Sequence, residues 1–361
     1  LASAEYEYPH AVMSEALPNG RRLPPDYALQ HPQDYLDALY TVTSDALSRA
    51  GIRGDEICGI GLDSTSPSAV CLDSDGRPLA LRPELSSHPH AYIKLWKHHG
   101  NTGHWAGCMD RVKGTEEWRA YYGGKINCEF IIPKALETQD SDPEVWDACD
   151  VFCEVGDWLF RELTGSRCGS EMMASCNALY FHGAYPPDSL FRELAPDKTP
   201  VTAKLITPSR RMRDGAGTLR REAAERLGLP EGIPVAPSMI DSHASVIGCG
   251  ACETGDLVAV LGTSACYMLN GDTESPVPGS CCVAWEANVP GKFGYESGQT
   301  CFGDGLNWVT ETAVPREYAA EAEKAGISLH RLMQEKCADY VPGGSGLLIL
   351  DWWNGVRSPL K

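Results

Sequence analysis

Runs short enough to be buried strands alternate along this chain with runs of helical period, and that interleaving restricts it to the α/β class. The strand-like runs are residues 57–62, which lead into Asp63, residues 234–240, which lead into Asp241, and the pair 256–261 and 265–269 on either side of Gly262-Thr263-Ser264. Residues 69–72 and 78–81 flank the turn Asp73-Ser74-Asp75-Gly76 and read as a hairpin. One more strand is expected at 347–350. Helical period marks residues 34–50, where Leu36, Leu39, Tyr40, Val42 and Leu47 fall near one face and Gly51 ends the run. Helices are also expected over 90–98, 116–122, 143–150, 157–163 and 303–312, and up to Leu227 from a Thr218 cap, with Gly228 as the stop. Near residues 250–255 the texture turns from helical to strand-rich, which places a boundary between a domain over 1–252 and another over 253–361. A chain of 361 residues can bury two sizeable cores.

Composition narrows the class of partner. Apolar residues make up 43% and charged residues 22%, the balance of a folded globular protein. A net charge of −18 argues against a nucleic-acid partner, because phosphate backbones are held by basic patches. The nearest candidate patch, Arg210, Arg211 and Arg213, reads as a solvated turn. No run approaches the roughly 20 apolar residues of a membrane span, and none reads as a signal peptide. The 15 cysteines are scattered and odd in number, which suits reduced, buried thiols such as Cys58, Cys71 and Cys266 in a cytoplasmic protein. Cys249 and Cys252 have metal-ligand spacing but lack a well-spaced second pair, so they read as core residues. His88, His90, His98 and His99 mix with Lys94 and Lys97 on what reads as a surface helix.

Three segments carry chemistry. Asp241 stands just past a buried strand, at the rim where α/β folds bind small ligands, and a carboxylate there can take a proton from an attacking hydroxyl. Capping the next helix would explain it equally well. Gly262-Thr263-Ser264 can make an anion nest of backbone amides and hydroxyls, or an ordinary hairpin turn. The run from Gly294 to Asp304 sets Glu296, Gln299 and Thr300 among glycines in an apolar context, either as a site or as a polar loop capping the helix near Asp304. There is no GxxxxGK[ST] loop, no GxGxxG after a strand and no GxSxG elbow, which excludes P-loop kinases and leaves dinucleotide-binding and α/β-hydrolase readings without support.

In order and spacing these segments resemble the FGGY carbohydrate kinases, and within them the ribulokinase branch, from about Ile57 to Leu360. The marks are GIGLDSTS at 59–66, HAYIKLWK at 90–97, YGGKI at 122–126, IPKAL at 132–136, EVGDW at 154–158 and LTG at 163–165. They continue with SMIDSHA at 238–244, GTS at 262–264, YESGQ at 295–299 and LDWWNG at 350–355. The resemblance implies an actin-like, ribonuclease H-like ATPase fold, two domains around a cleft, with sugar held mainly by the first and ATP by the second. It makes Asp241 the catalytic base and Glu296 a carboxylate that holds sugar hydroxyls. Ala91 then contacts the ketose through its backbone, Trp96 lies near that pocket, Gly262 and Thr263 form the ATP phosphate turn, and Gly303 lines the same cleft. Asn177 occupies a position where the family's lysine contacts sugar, which leaves the sugar open.

The activity so implied is ATP- and Mg²⁺-dependent phosphorylation of a ketopentose, ribulose to ribulose 5-phosphate first, by a cytoplasmic enzyme with sugar and ATP as small-molecule partners and room for a homodimer. Xylulose, rhamnulose or glycerol are alternative substrates, and a non-catalytic sugar-binding relative or a fragment is the alternative of another class. Nothing before Tyr6 matches the family's opening strand and phosphate loop, and its glycine-rich adenosine motif is not reached by Lys361. The sequence therefore reads as truncated at both ends, with poor or no ATP binding expected of it alone.

Overall fold

The computed structural model describes residues 2–210, 217–341, 343–350, 352–353 and 355–356. An antiparallel four-stranded sheet forms the first half, in the order Leu29–Gln30, Ile93–Lys94, Ala69–Leu72, Val151–Glu154. Ala69–Leu72 is buried at every position, which is why it reads as an unbroken apolar run. Helix Pro32–Ala50 starts on a cap at His31, whose ring accepts from the Gln33 amide, and stops at Gly51 in the left-handed region at φ 66°. Helix Val155–Thr164 buries eight of its ten residues, and Ile131–Ser141 is buried from Ile131 to Gln139.

The second sheet, also antiparallel, has the order Leu257–Leu261, Ala265–Gly271, Phe293–Gln299, Cys282–Trp285. Its inner face carries Val258 and Met268 against Val246 of helix Asp241–Gly248. Its outer face leaves Leu257, Leu261, Tyr267 and Leu269 exposed, with Leu257 opposite Leu269 in register. The largest core cluster runs from the first sheet through Ile131, Ile132 and Met173 to Cys282, Ala284 and Ala287, so one apolar body underlies both halves. Apart from both sheets, Asp63–Ser64 pairs in parallel with Met239–Ile240, with Met239 opposite Asp63 and Ile240 opposite Ser64. Helix Asp241–Gly248 touches both this pair and the second sheet.

Several expected elements take a different form. Residues 90–98 are not a surface helix. A single 3-10 turn, Pro89–Ala91, precedes strand Ile93–Lys94, and His90, Lys94 and His98 are buried. The reason is a partner distant in sequence. Lys94 Nζ donates to Glu137 Oε2 at 2.6 Å and to Thr138 Oγ1 at 2.7 Å, which draws the segment inward. Residues 57–62 form no strand of their own: Ile60 bridges Val235, Leu62 O accepts from the Met239 amide at 3.0 Å, and strand pairing begins at Asp63. Pro78 bridges Leu72, but Leu79–Leu81 closes a 3-10 turn rather than a second hairpin strand. Thr218 belongs to strand Gly217–Thr218, and helix Arg221–Leu227 starts after Arg220 without a side-chain cap. Residues 347–350 form no strand; exposed and without a ladder partner, they lack the pairing a strand requires. All fifteen cysteines are free thiols, but Cys58, Cys249 and Cys252 are exposed rather than core residues. Arg211, Arg213, Asp351 and Asn354 lie outside the described residues.

Candidate active site

A cavity of about 220 Å³ opens where the parallel pair, the Gly262-Thr263-Ser264 turn and the first sheet's end converge. Six of the eight residues proposed from sequence line it: Trp96, Asn177, Asp241, Gly262, Thr263 and Glu296. Ala91 does not. It is fully buried in the core, on a 3-10 turn whose amide bonds to His88 O. Gly303 does not line the wall either; its amide donates to Gly262 O at 2.9 Å, and the Phe302 amide to Thr263 O at 2.8 Å. A Cβ on Gly303 would come within 2.6 Å of Gly262 O, so glycine lets the helix Gly303–Trp308 abut the turn.

Asp241 is the first residue of its helix and is accessible from the cleft. The cleft's burial raises its carboxyl above the ordinary range, the Ser242 amide at 2.7 Å from Oδ1 pulls it down, and the Asp63 charge raises it again. A carboxylate made more basic by such surroundings is a better proton acceptor. The capping reading of Asp241 does not hold, since Ile240 is the N-cap and no side chain caps the helix; what the structure gives is a carboxylate exposed at the helix start.

Glu296 sits mid-strand, opposite Met268 on one side and Cys282 on the other. The pleat thus turns it to the sheet's inner face, toward the cavity. Its Oε2 lies 3.6 Å from His243 Nε2 and 3.7 Å from Cys282 Sγ. Asn177 ends helix Glu171–Asn177, and its amide Nδ2 donates to Ser66 Oγ at 2.7 Å. Ser66 Oγ in turn donates to Glu154 Oε1 at 2.8 Å, while the Ser68 amide donates to Glu154 Oε2 at 2.8 Å. Asn177 thus anchors the loop that forms one wall.

Lys134 and Glu154, which stand inside motifs of the sequence but carry no role there, hold that wall. Fully buried Lys134 donates to Pro67 O at 2.6 Å and Leu95 O at 2.8 Å, which fixes the loop and the base of Trp96 together. Burial pushes the Glu154 carboxyl up and the Lys134 ammonium down. The sequence does hold a signal for them: a lysine inside the run Ile131-Ile132-Pro133-Lys134-Ala135-Leu136 has to find acceptors once that helix is buried. Ser66, Asn127 and Glu129 also line the cavity and have no local mark to single them out.

Chemically the arrangement offers a basic carboxylate between a hydrogen-bonding wall and a glycine-hydroxyl turn. Residues 15–248 match the N-terminal domain of the FGGY family of carbohydrate kinases, and residues 257–361 match its C-terminal domain. The chain belongs to the FGGY family of carbohydrate kinases. FGGY relatives include the ribulokinase of Geobacillus thermodenitrificans, 39% identical over 358 residues, which are 98% of this chain and 63% of that protein. The ribulokinase of Mycolicibacterium smegmatis is 39% identical over 368 residues, 100% of this chain and 65% of that protein. The chain thus spans less than two-thirds of the length of these relatives. Among solved structures, the xylulose kinase from Rhodospirillum rubrum superposes with a TM-score of 0.75 at 22% identity, covering 94% of this chain and 64% of that one. Plasmodium falciparum glycerol kinase with ADP gives 0.61 at 16% identity, covering 84% and 60%. These similarities identify the FGGY fold, the two-domain actin-like ATPase architecture. No helix among the described residues is long and apolar enough to cross a membrane.

Proposed function

We propose that this chain carries the sugar site and the catalytic base of a kinase that transfers the γ-phosphate of ATP to a ketopentose, with ribulose as first substrate. One observation carries the reading: the Asp241 carboxylate shares a single cavity with Glu296 and Trp96 and with the Gly262-Thr263 turn. The similarity to ribulokinases favours ribulose over xylulose, rhamnulose or glycerol. In this reading residues 1–252 form the sugar domain and 253–361 the nucleotide domain. Fifteen free thiols suit a reducing compartment, and we place the protein in the cytoplasm.

Asp241 accepts the proton of the sugar hydroxyl as its oxygen bonds to the γ-phosphorus and the bond from that phosphorus to the bridging oxygen breaks. Glu296 accepts hydrogen bonds from the sugar hydroxyls and Trp96 covers the ring or chain. The Gly262-Thr263-Ser264 turn offers hydroxyls to the phosphate oxygens. Asp63, on one strand of the parallel pair, and Asp241, the residue just past the other, are close enough for one charge to raise the other and are hard oxygen donors that fit Mg²⁺. When bound, that ion offsets phosphate charge.

The test combines calorimetry and turnover. Ribulose should give binding heat that survives Asp241→Asn, while ADP production, measured in a chain extended to the length of its relatives, should fall by roughly 10²–10⁴-fold, the usual contribution of a general base. Near-normal turnover in Asp241→Asn would overturn the role of the base, and heat with xylulose or glycerol but not ribulose would move the substrate.

A further inference from the structure

Behind the Glu296 wall lies a cluster that phosphoryl transfer does not use. Cys176 comes from helix Glu171–Asn177, His243 from helix Asp241–Gly248 and Cys282 from the edge strand Cys282–Trp285. All three are buried. Their two sulfurs and an imidazole nitrogen lie within 4.8 Å of one another. His243 Nδ1 is 3.1 Å from the Ala287 carbonyl oxygen. A carbonyl only accepts, so Nδ1 carries a proton and donates it. His243 Nε2 is then the atom left to bind, and it is buried without a hydrogen bond, 3.6 Å from Glu296 Oε2. A ring held by an Nδ1–H to a backbone carbonyl, with Nε2 facing ligands, is the outer-shell arrangement that orients metal-binding histidines.

We propose that Cys176, Cys282 and His243 form a binding site for one soft divalent metal ion of the zinc or cadmium class, with Glu296, whose Oε2 is 3.6 Å from His243 Nε2 and 3.7 Å from Cys282 Sγ, turning in as its oxygen ligand. Two sulfurs, one imidazole nitrogen and one carboxylate oxygen are a tetrahedral set for such an ion, and hard cations such as Mg²⁺ are poor competitors for the thiolates. Ligand atoms around zinc stand about 3.5–3.8 Å apart, given bonds of about 2.0–2.3 Å. The ligand atoms of Cys176, His243 and Cys282 all lie within 4.8 Å of one another, so they close by about an ångström at most on uptake, within the reach of side-chain rotation. The ion takes the place of protons held among the two sulfurs and the imidazole, and these are released. Because the ligands come from two helices and the second sheet, the ion ties those elements together. This site goes beyond the kinase reading and shares Glu296 with it; because its tests read metal binding and not turnover, the two readings can fail separately.

Cobalt(II) and zinc(II) added to the reduced 361-residue protein test it. The exposed Cys249 and Cys252 are a rival pair, so the measurements use Cys249→Ser/Cys252→Ser, a surface change. Cobalt should give one equivalent of thiolate-to-metal charge transfer in the near ultraviolet with the visible bands of a tetrahedral ion, displaced by zinc. Cys282→Ser should reduce the charge-transfer intensity about twofold or more. A spectrum absent from the Cys249→Ser/Cys252→Ser protein, or unchanged by Cys282→Ser, overturns the site. Should Cys282→Ser fail to fold, X-ray absorption at the zinc edge of the Cys249→Ser/Cys252→Ser protein decides alone. Two sulfur and two lighter neighbours support the assignment, and a shell of only nitrogen and oxygen overturns it.

Discussion

Asp157 is a fully buried carboxyl with one backbone donor, the Ser170 amide at 2.7 Å from Oδ1. Burial pushes it up to about 7, the amide opposing. Its folded form therefore favours the proton, so its stabilising contribution is complete below about pH 4 and is lost as pH rises through about 7. A tenfold change in proton affinity corresponds to about 1.4 kcal/mol, so the climb to about 7 sets an upper bound of about 4 kcal/mol on the change in stability. Asp157→Asn keeps an acceptor for Ser170 and should flatten the pH dependence of Tm over that window; an unchanged slope in thermal melts would refute the assignment. Asp241, as the proposed base, works in the opposite sense for turnover. Since the base must be ionised, kcat/KM should fall on the acid side at a pH above the ordinary carboxylate range. At this scale Asp241 is legible because it follows an apolar run, whereas the identity of its neighbours is not. Asn177 is legible as a position but not as a contact, since its bond to Ser66 spans 111 residues.

Among the elements, the helix Val155–Thr164 shows how closely the site is built. A Cβ on Gly156 would come 2.2 Å from Ser238 Oγ, just before the parallel pair, and 2.7 Å from Ser64 Oγ, within it; that pair carries Asp63 and leads into Asp241. Gly156→Ala should push the helix off that pair, at a cost of about 1–3 kcal/mol from overpacking. The check is a denaturant midpoint that falls with an unchanged slope, together with weaker ketose binding; unaltered ketose binding would show that the pair tolerates the shift. The start of Pro32–Ala50, behind the His31 cap, carries no mark as sharp and is expected at 34, whereas its end at Gly51 has a local signal and can be read to the residue. Residues 347–350 cannot, since an apolar run becomes a strand only where a partner is provided.

Across the whole molecule, buried charge holds the first half together. Glu137 accepts from Lys94 Nζ, from His98 Nε2 at 2.9 Å and from the Asn101 amide at 2.6 Å. The Ala28 amide donates to His98 Nδ1, which places the His98 proton on Nε2, facing Glu137. Lys94→Met leaves the Glu137 carboxylate buried without its main partner and should lower unfolding free energy by about 3–5 kcal/mol, measured in urea. A loss under 1 kcal/mol would refute Lys94 as the main partner of Glu137. In sequence this network looks like a surface helix because its partners lie 43 and 39 residues away, beyond any local pattern. The family's motif order, by contrast, is intact, which is how the fold is legible while the wiring beneath the site is not.

The outer face of the second sheet sets a handling property of this chain. Leu257, Leu261, Tyr267 and Leu269 present contiguous oily surface beside an edge strand, which is an invitation to stacking between molecules. The net charge of −18 opposes that stacking by repulsion over about 10 Å at 0.1 M salt. Colloidal stability should therefore fall as salt rises, with light scattering growing with concentration in high salt, and Leu257→Lys should delay it. A sample that scatters equally with and without salt would place the stickiness elsewhere.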